Sequence, residues 1–69
     1  MPLTLAKIGE ENTIKRIGGR PDTKQFLKNL GFVPGAFITI VNEINGNVIV
    51  CIKESRVAIS REMAVKIMV

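Results

Sequence analysis

The dipeptide Asn45-Gly46 stands between two runs rich in β-branched residues, Phe37 to Ile44 and Asn47 to Lys53. A two-residue type I′ turn needs positive φ at both central positions, which Asn and Gly tolerate best. Flanked in this way, the pair predicts a β-hairpin. A second tight turn around Glu54 and Ser55 leads into "RVAIS", Arg56 to Ser60, so the centre of the chain reads as three consecutive antiparallel strands. Side chains alternate across a strand. Ile38, Ile40 and Ile44 then share one face, with Phe37 and Val41 on the other; Val48, Val50 and Ile52 oppose Ile49 and Cys51. Strands apolar on both faces are covered on both sides, or curl into a barrel with a helix packed outside.

The flanking segments supply the rest. Asn12 to Ile17 reads as a short strand, broken by Gly18-Gly19 and Pro21. "DTKQFLKNLG" follows as a helix of a few turns, capped by Asp22 or Thr23 and closed by Gly31. Phe26, Leu27 and Leu30 make its apolar face, while Lys24 and Lys28 share a neighbouring exposed one. Ser60 is placed to cap a helical turn over Arg61 to Val65, and "KIMV" forms a last strand returning beside the first. The expected architecture is mainly β: a small SH3-like barrel of about five antiparallel strands, with a short inserted helix and a C-terminal helical turn. Sixty-nine residues leave room for one domain, residues 1–69.

The hexapeptide "LGFVPG", Leu30 to Gly35, joins the helix to the meander. Gly31 suits the left-handed position just past a helix end, which places Phe32 to pack back on Leu27. Val33 precedes proline and is driven extended. Pro34-Gly35 has the residues of a type II turn. Gly31, Pro34 and Gly35 therefore form a structural corner. Phe32 and Val33 are left either as packing or as an exposed docking knob.

Composition removes most chemistry. There is no histidine and one cysteine, so neither a disulfide nor a Cys/His zinc site can form. The carboxylates Glu10, Glu11, Asp22, Glu43, Glu54 and Glu62 are spread along the chain, and no resident metal or cofactor is expected. Cys51 lies mid-strand with no base to activate it and reads as a small core residue. No nucleophile–base pair is present, and the chain reads as a non-enzyme. Its N-terminus lacks a basic start followed by an apolar stretch, which with the lone thiol points to the cytoplasm. Net charge is +4, from ten Lys/Arg against six Asp/Glu, scattered in sequence. That modest excess makes nucleic acid an unexpected partner. A nucleic-acid-binding small β-barrel is the competing reading. It would need bases interleaved with aromatics on one sheet face, and the strands offer only Lys15, Arg16 and Lys53 with Phe37.

The order of these features is familiar. Leu5 and Gly9, then Leu27, Leu30, Gly31, Pro34 and Gly35 at the corner, then Val57, Ile59, Ala64, Ile67 and Val69 in the closing segment resemble the FeoA family over nearly the whole chain. FeoA proteins are small cytoplasmic proteins of bacterial ferrous iron uptake. The resemblance implies an SH3-like barrel and an accessory or regulatory role toward the permease FeoB, peripheral to the inner membrane when bound. The module also occurs at the C-terminus of iron-dependent repressors; no helix-turn-helix precedes it here. Many relatives carry an arginine in a pattern like Arg-Leu-x-x-Leu-Gly, where this chain has Phe26, preceded by Lys24 and Gln25.

The sequence therefore favours an interaction module that contacts the cytoplasmic part of FeoB through helix and corner: Lys24, Phe26, Lys28, Phe32 and Val33. Exposed "KIMV" or "NVIV" edges would offer a route to weak self-association.

Overall fold

The computed structural model describes residues 1–69. A 3₁₀ turn, Leu3–Leu5, precedes β1 (Glu11–Thr13) and β2 (Arg16–Ile17). These lead to α1 (Pro21–Asn29), β3 (Phe37–Ile44), β4 (Asn47–Ile52), β5 (Ser55–Ser60), α2 (Arg61–Ala64) and β6 (Ile67–Met68). Strands β1, β3, β4 and β5 form one antiparallel sheet in the order β1-β3-β4-β5, and β2 pairs with β6 in a second. Six short strands replace the expected five because the first is split. At the break, the Ile14 amide donates to Ala36 O at 2.9 Å and the Lys15 amide to Met68 O at 2.7 Å. The strand thus leaves one sheet and enters the other, with Ile14 buried at the corner. This is how a short chain curls a sheet into a barrel.

Thirteen apolar residues form one core, drawn from every element except β1 and β2. Ile38, Ile40, Val48, Val50, Ile52 and Ile59 line the inner face of the main sheet. Leu3, Leu27, Phe32, Ala64, Ile67 and Val69 close it from the surrounding turns, helices and last strand. Across the other face run Thr39, Cys51 and Arg56, in register with one another. Cys51 is thus half-buried on the outside rather than a core residue. That outer face is not roofed by α1, and Phe37 at its margin is 61 % exposed.

Ile44 also departs from the simple alternation. The β3–β4 register shifts between Ile40 and Asn42, so Val41 forms a bulge and the phase inverts beyond it. Ile44 then pairs with Asn47 on the outer face, 47 % exposed, instead of joining Ile38 and Ile40. Glu43 takes the inward phase where the sheet overruns the core, and meets Arg61 at 3.6 Å in the one ion pair between side chains.

Asn45 and Gly46 have φ of 49° and 80°, the type I′ turn their identities predict. The next turn falls at Lys53-Glu54, one residue earlier than the sequence suggests, with φ of 48° and 66°. Neither residue favours that region, so the turn carries strain. Lys53→Asn together with Glu54→Gly is expected to raise stability by about 1–2 kcal/mol, read as a higher urea midpoint. An unchanged midpoint would show that the turn stores no strain.

The free edges differ from expectation as well. "NVIV" belongs to β4, the interior strand between β3 and β5, so it has no open edge. β6 has β2 on one side and a bridge from Met68 to Pro2 on the other. Beyond that bridge the Met1 ammonium donates to Val69 O, and the Val69 amide to Met1 O, both at 2.8 Å. Ser60 caps α2 as expected, its hydroxyl accepting from the Met63 amide at 3.2 Å. No helix is long and apolar enough to cross a membrane.

Candidate functional site

The corner after α1 sets the site. Gly31, at φ +102°, donates its amide to Lys28 O at 2.9 Å, and the Phe32 amide donates to Leu27 O at 3.0 Å. These two bonds define a Schellman cap, which turns the chain sharply back under the helix. Leu27 and Phe32 enter the core together, both without exposed surface. Phe32 is therefore no exposed knob; the cap drives its ring inward. At the other end of α1 neither Asp22 nor Thr23 is the cap. Pro21 occupies the first turn, Arg20 takes the cap position without a side-chain bond, and Asp22 accepts from the Thr23 amide at 2.9 Å.

Past Phe32, the Ala36 amide donates to Val33 O at 3.1 Å and Gly35 has φ +90°, a type II turn. The Gly35 amide donates to Ile14 O at 2.8 Å, stitching the corner to the break between β1 and β2. Helix, corner and β2 are thus held side by side, with a cleft of about 410 Å³ between them. A Cβ on Gly31 would meet only the Lys53 side chain at 3.8 Å, so space is not limiting there. The cost of Gly31→Ala is conformational, and it is expected to lower stability by about 1–2 kcal/mol. A thermal midpoint equal to the parent's would contradict the cap.

Lys24 and Lys28 of α1 form one wall of the cleft, Arg16 and Ile17 of β2 the other; Val33 and Pro34 form the floor, backed by Phe32. Of the helix-and-corner residues singled out from the sequence, Lys24, Lys28, Phe32 and Val33 meet here. Phe26 does not: it lies on another face of α1, 48 % exposed. Leu30 is also partly exposed, so Leu27 alone docks the predicted apolar face of the helix. Arg16 and Ile17 escape sequence reasoning as site residues because the β2–β6 pairing that sets them opposite α1 joins distant segments.

Three cations rim the cleft and no carboxylate lines it. None of the three is ion-paired, since the one ion pair joins Arg61 to Glu43. No three His, Cys, Asp or Glu side chains come together to hold a metal ion. For the nucleic-acid reading, Arg16 lies in the cleft, Lys53 in the β4–β5 turn and Phe37 at the margin of the outer sheet face. They do not form one stacking platform.

The family model for the FeoA domain matches residues 1–69. The chain belongs to the FeoA family. A candidate Fe(2+) transport protein A of Methanocaldococcus jannaschii is 40 % identical over 99 % of this chain and 83 % of its own length. The crystal structure of an iron uptake regulatory protein, FeoA, superposes with a TM-score of 0.89 at 26 % identity, covering 99 % of this chain and 92 % of its own. A Stenotrophomonas maltophilia FeoA complexed with zinc, described as a prokaryotic SH3 domain protein, superposes with a TM-score of 0.85. It covers 99 % of this chain and 87 % of its own at 18 % identity, a likeness that shows the fold. The SH3-like barrel expected from the strand pattern is the FeoA fold. In this FeoA-family chain Phe26 stands where the resemblance places an arginine, and it turns away from the cleft.

Proposed function

We propose that this FeoA-family chain is a non-catalytic accessory protein of ferrous iron uptake. It acts by contact with the cytoplasmic part of the permease FeoB, at the inner face of the membrane. The cleft between α1 and β2 carries the reading. It is the molecule's one well-formed concavity, and it joins an apolar floor to a few convergent polar groups, as binding sites do. It lacks a nucleophile, a general base or a set of metal ligands, which favours gripping a partner over transforming or carrying iron. The 40 % identity to an Fe(2+) transport protein A supports ferrous iron as the cargo of the system.

The test is a titration of the purified cytoplasmic part of FeoB with the parent chain and with Lys24→Glu/Lys28→Glu. Both lysines are exposed, so the substitutions spare the core. The parent is expected to bind, and the charge reversal to weaken binding about tenfold or more. Failure of the parent to bind would remove the FeoB reading. Stoichiometric uptake of ferrous ion by the chain alone, measured by calorimetry, would replace it with iron carriage.

A further inference from the structure

The cleft is chemically one-sided. Arg16, Lys24 and Lys28 surround it with no lining carboxylate and no ion-pair partner. Beneath them Ile17, Val33 and Pro34 make an apolar surface. From this arrangement we propose that the cleft receives an acidic, extended segment of a partner protein. One apolar side chain of the segment sits on the floor, and its carboxylates meet the three cations. The proposal rests on the reading that the chain works by protein contact, and it adds the chemistry of the segment that is gripped.

Charge complementarity argues for an acidic occupant. Lys24 and Lys28 are four residues apart on α1, so their like charges face each other along the helix. Such a pair is unfavourable by a few tenths of a kcal/mol, and a carboxylate between them reverses the sign. Arg16 adds a planar guanidinium from the opposite wall, suited to a carboxylate in bidentate geometry.

The shape argues for a polypeptide. The cleft is a groove of about 410 Å³ with a short apolar floor, room for a few consecutive side chains of an extended segment. A lipid surface is met instead by a protruding apolar face. Single-stranded nucleic acid needs an open aromatic face on which to stack. The cleft's one aromatic residue, Phe32, is wholly buried. A second copy of this chain offers only one adjacent acidic pair, Glu10-Glu11, and its backbone is held in β1 against β3 at Glu11↔Thr39, so it cannot enter the cleft as a free extended segment.

The experiment is fluorescence anisotropy of the whole chain with a labelled peptide in which one leucine is flanked on both sides by glutamate and aspartate. Expected is saturable binding that weakens as NaCl is raised. It falls about tenfold or more in Lys24→Glu/Lys28→Glu, and disappears when the peptide's acids are replaced by lysine. Phe26→Ala, off the cleft, should bind as the parent does. Amide chemical shifts should move at Arg16, Ile17, Lys24, Lys28 and Val33. Equal binding of acidic and basic peptides, unchanged affinity after charge reversal, or shifts confined to another face would overturn the proposal. So would tighter binding to single-stranded RNA, to phosphatidylglycerol vesicles or to a second copy than to the peptide. Should the charge reversal abolish FeoB binding while the acidic peptide fails to bind, the acidic-segment proposal falls and the FeoB reading stands. Should the peptide bind as expected and FeoB not bind, the reading falls and the cleft chemistry stands.

Discussion

Phe32→Ala is expected to lower stability by about 3–5 kcal/mol, the range for emptying a fully buried aromatic site. The side chain has no exposed surface and sits where the helix clip, the corner and the barrel core meet. Small domains hold only a few kcal/mol in reserve, so most of the chain should be unfolded at room temperature. The measurement is urea unfolding followed by circular dichroism, with the parent as reference. A loss below about 1 kcal/mol would mean that Phe32 can swing outward, and the knob reading would return. The more conservative Phe32→Leu should cost less and keep the fold, which separates lost volume from lost backbone geometry.

Leu27→Ala should also be severe, about 2–5 kcal/mol, but with a different pattern. Leu27 is the only buried residue of α1, so the helix has no second anchor on the barrel. A nine-residue helix is too short to hold itself in water. Removing the anchor should therefore release α1 while much of the β3–β4–β5 meander survives. In hydrogen exchange, amides within Pro21–Asn29 should lose protection first, followed by those of the corner. Uniform loss across helix and sheet would show that α1 and the barrel unfold as one unit. Lys24 and Lys28 ride on α1, so this variant should also lose any ligand of the cleft, although Leu27 does not line it.

What could be read from the sequence was what neighbouring residues decide among themselves. Asn45-Gly46 dictates its turn because few other pairs accept two positive φ values. Gly31 and Pro34-Gly35 dictate the corner for similar reasons, and Ser60 finds its helix amide three residues on. The Lys53-Glu54 turn is not legible at its true position because neither residue announces a positive φ; the pairing of β4 with β5 imposes it. Simple alternation puts Ile44 on the wrong face because a bulge at Val41 leaves no mark on an unbroken β-branched run. The helix half of the cleft was legible through Lys24, Lys28 and the residues after Gly31. The β2 half was not, since Arg16 and Ile17 arrive there by pairing with Met68 and Ile67, some fifty residues downstream.

The paired ends of the chain have a consequence for how this fold can be carried. Met1 and Val69 exchange main-chain hydrogen bonds, so the backbone begins and finishes at one spot on the barrel. A host protein could hold the whole module in a surface loop, because the module asks for almost no separation between its two attachment points. By the same geometry, a short linker across residues 69 and 1, with a cut at Asn45-Gly46, gives a circular permutant. All the strand pairings survive in it, and only the Asn45-Gly46 turn is opened.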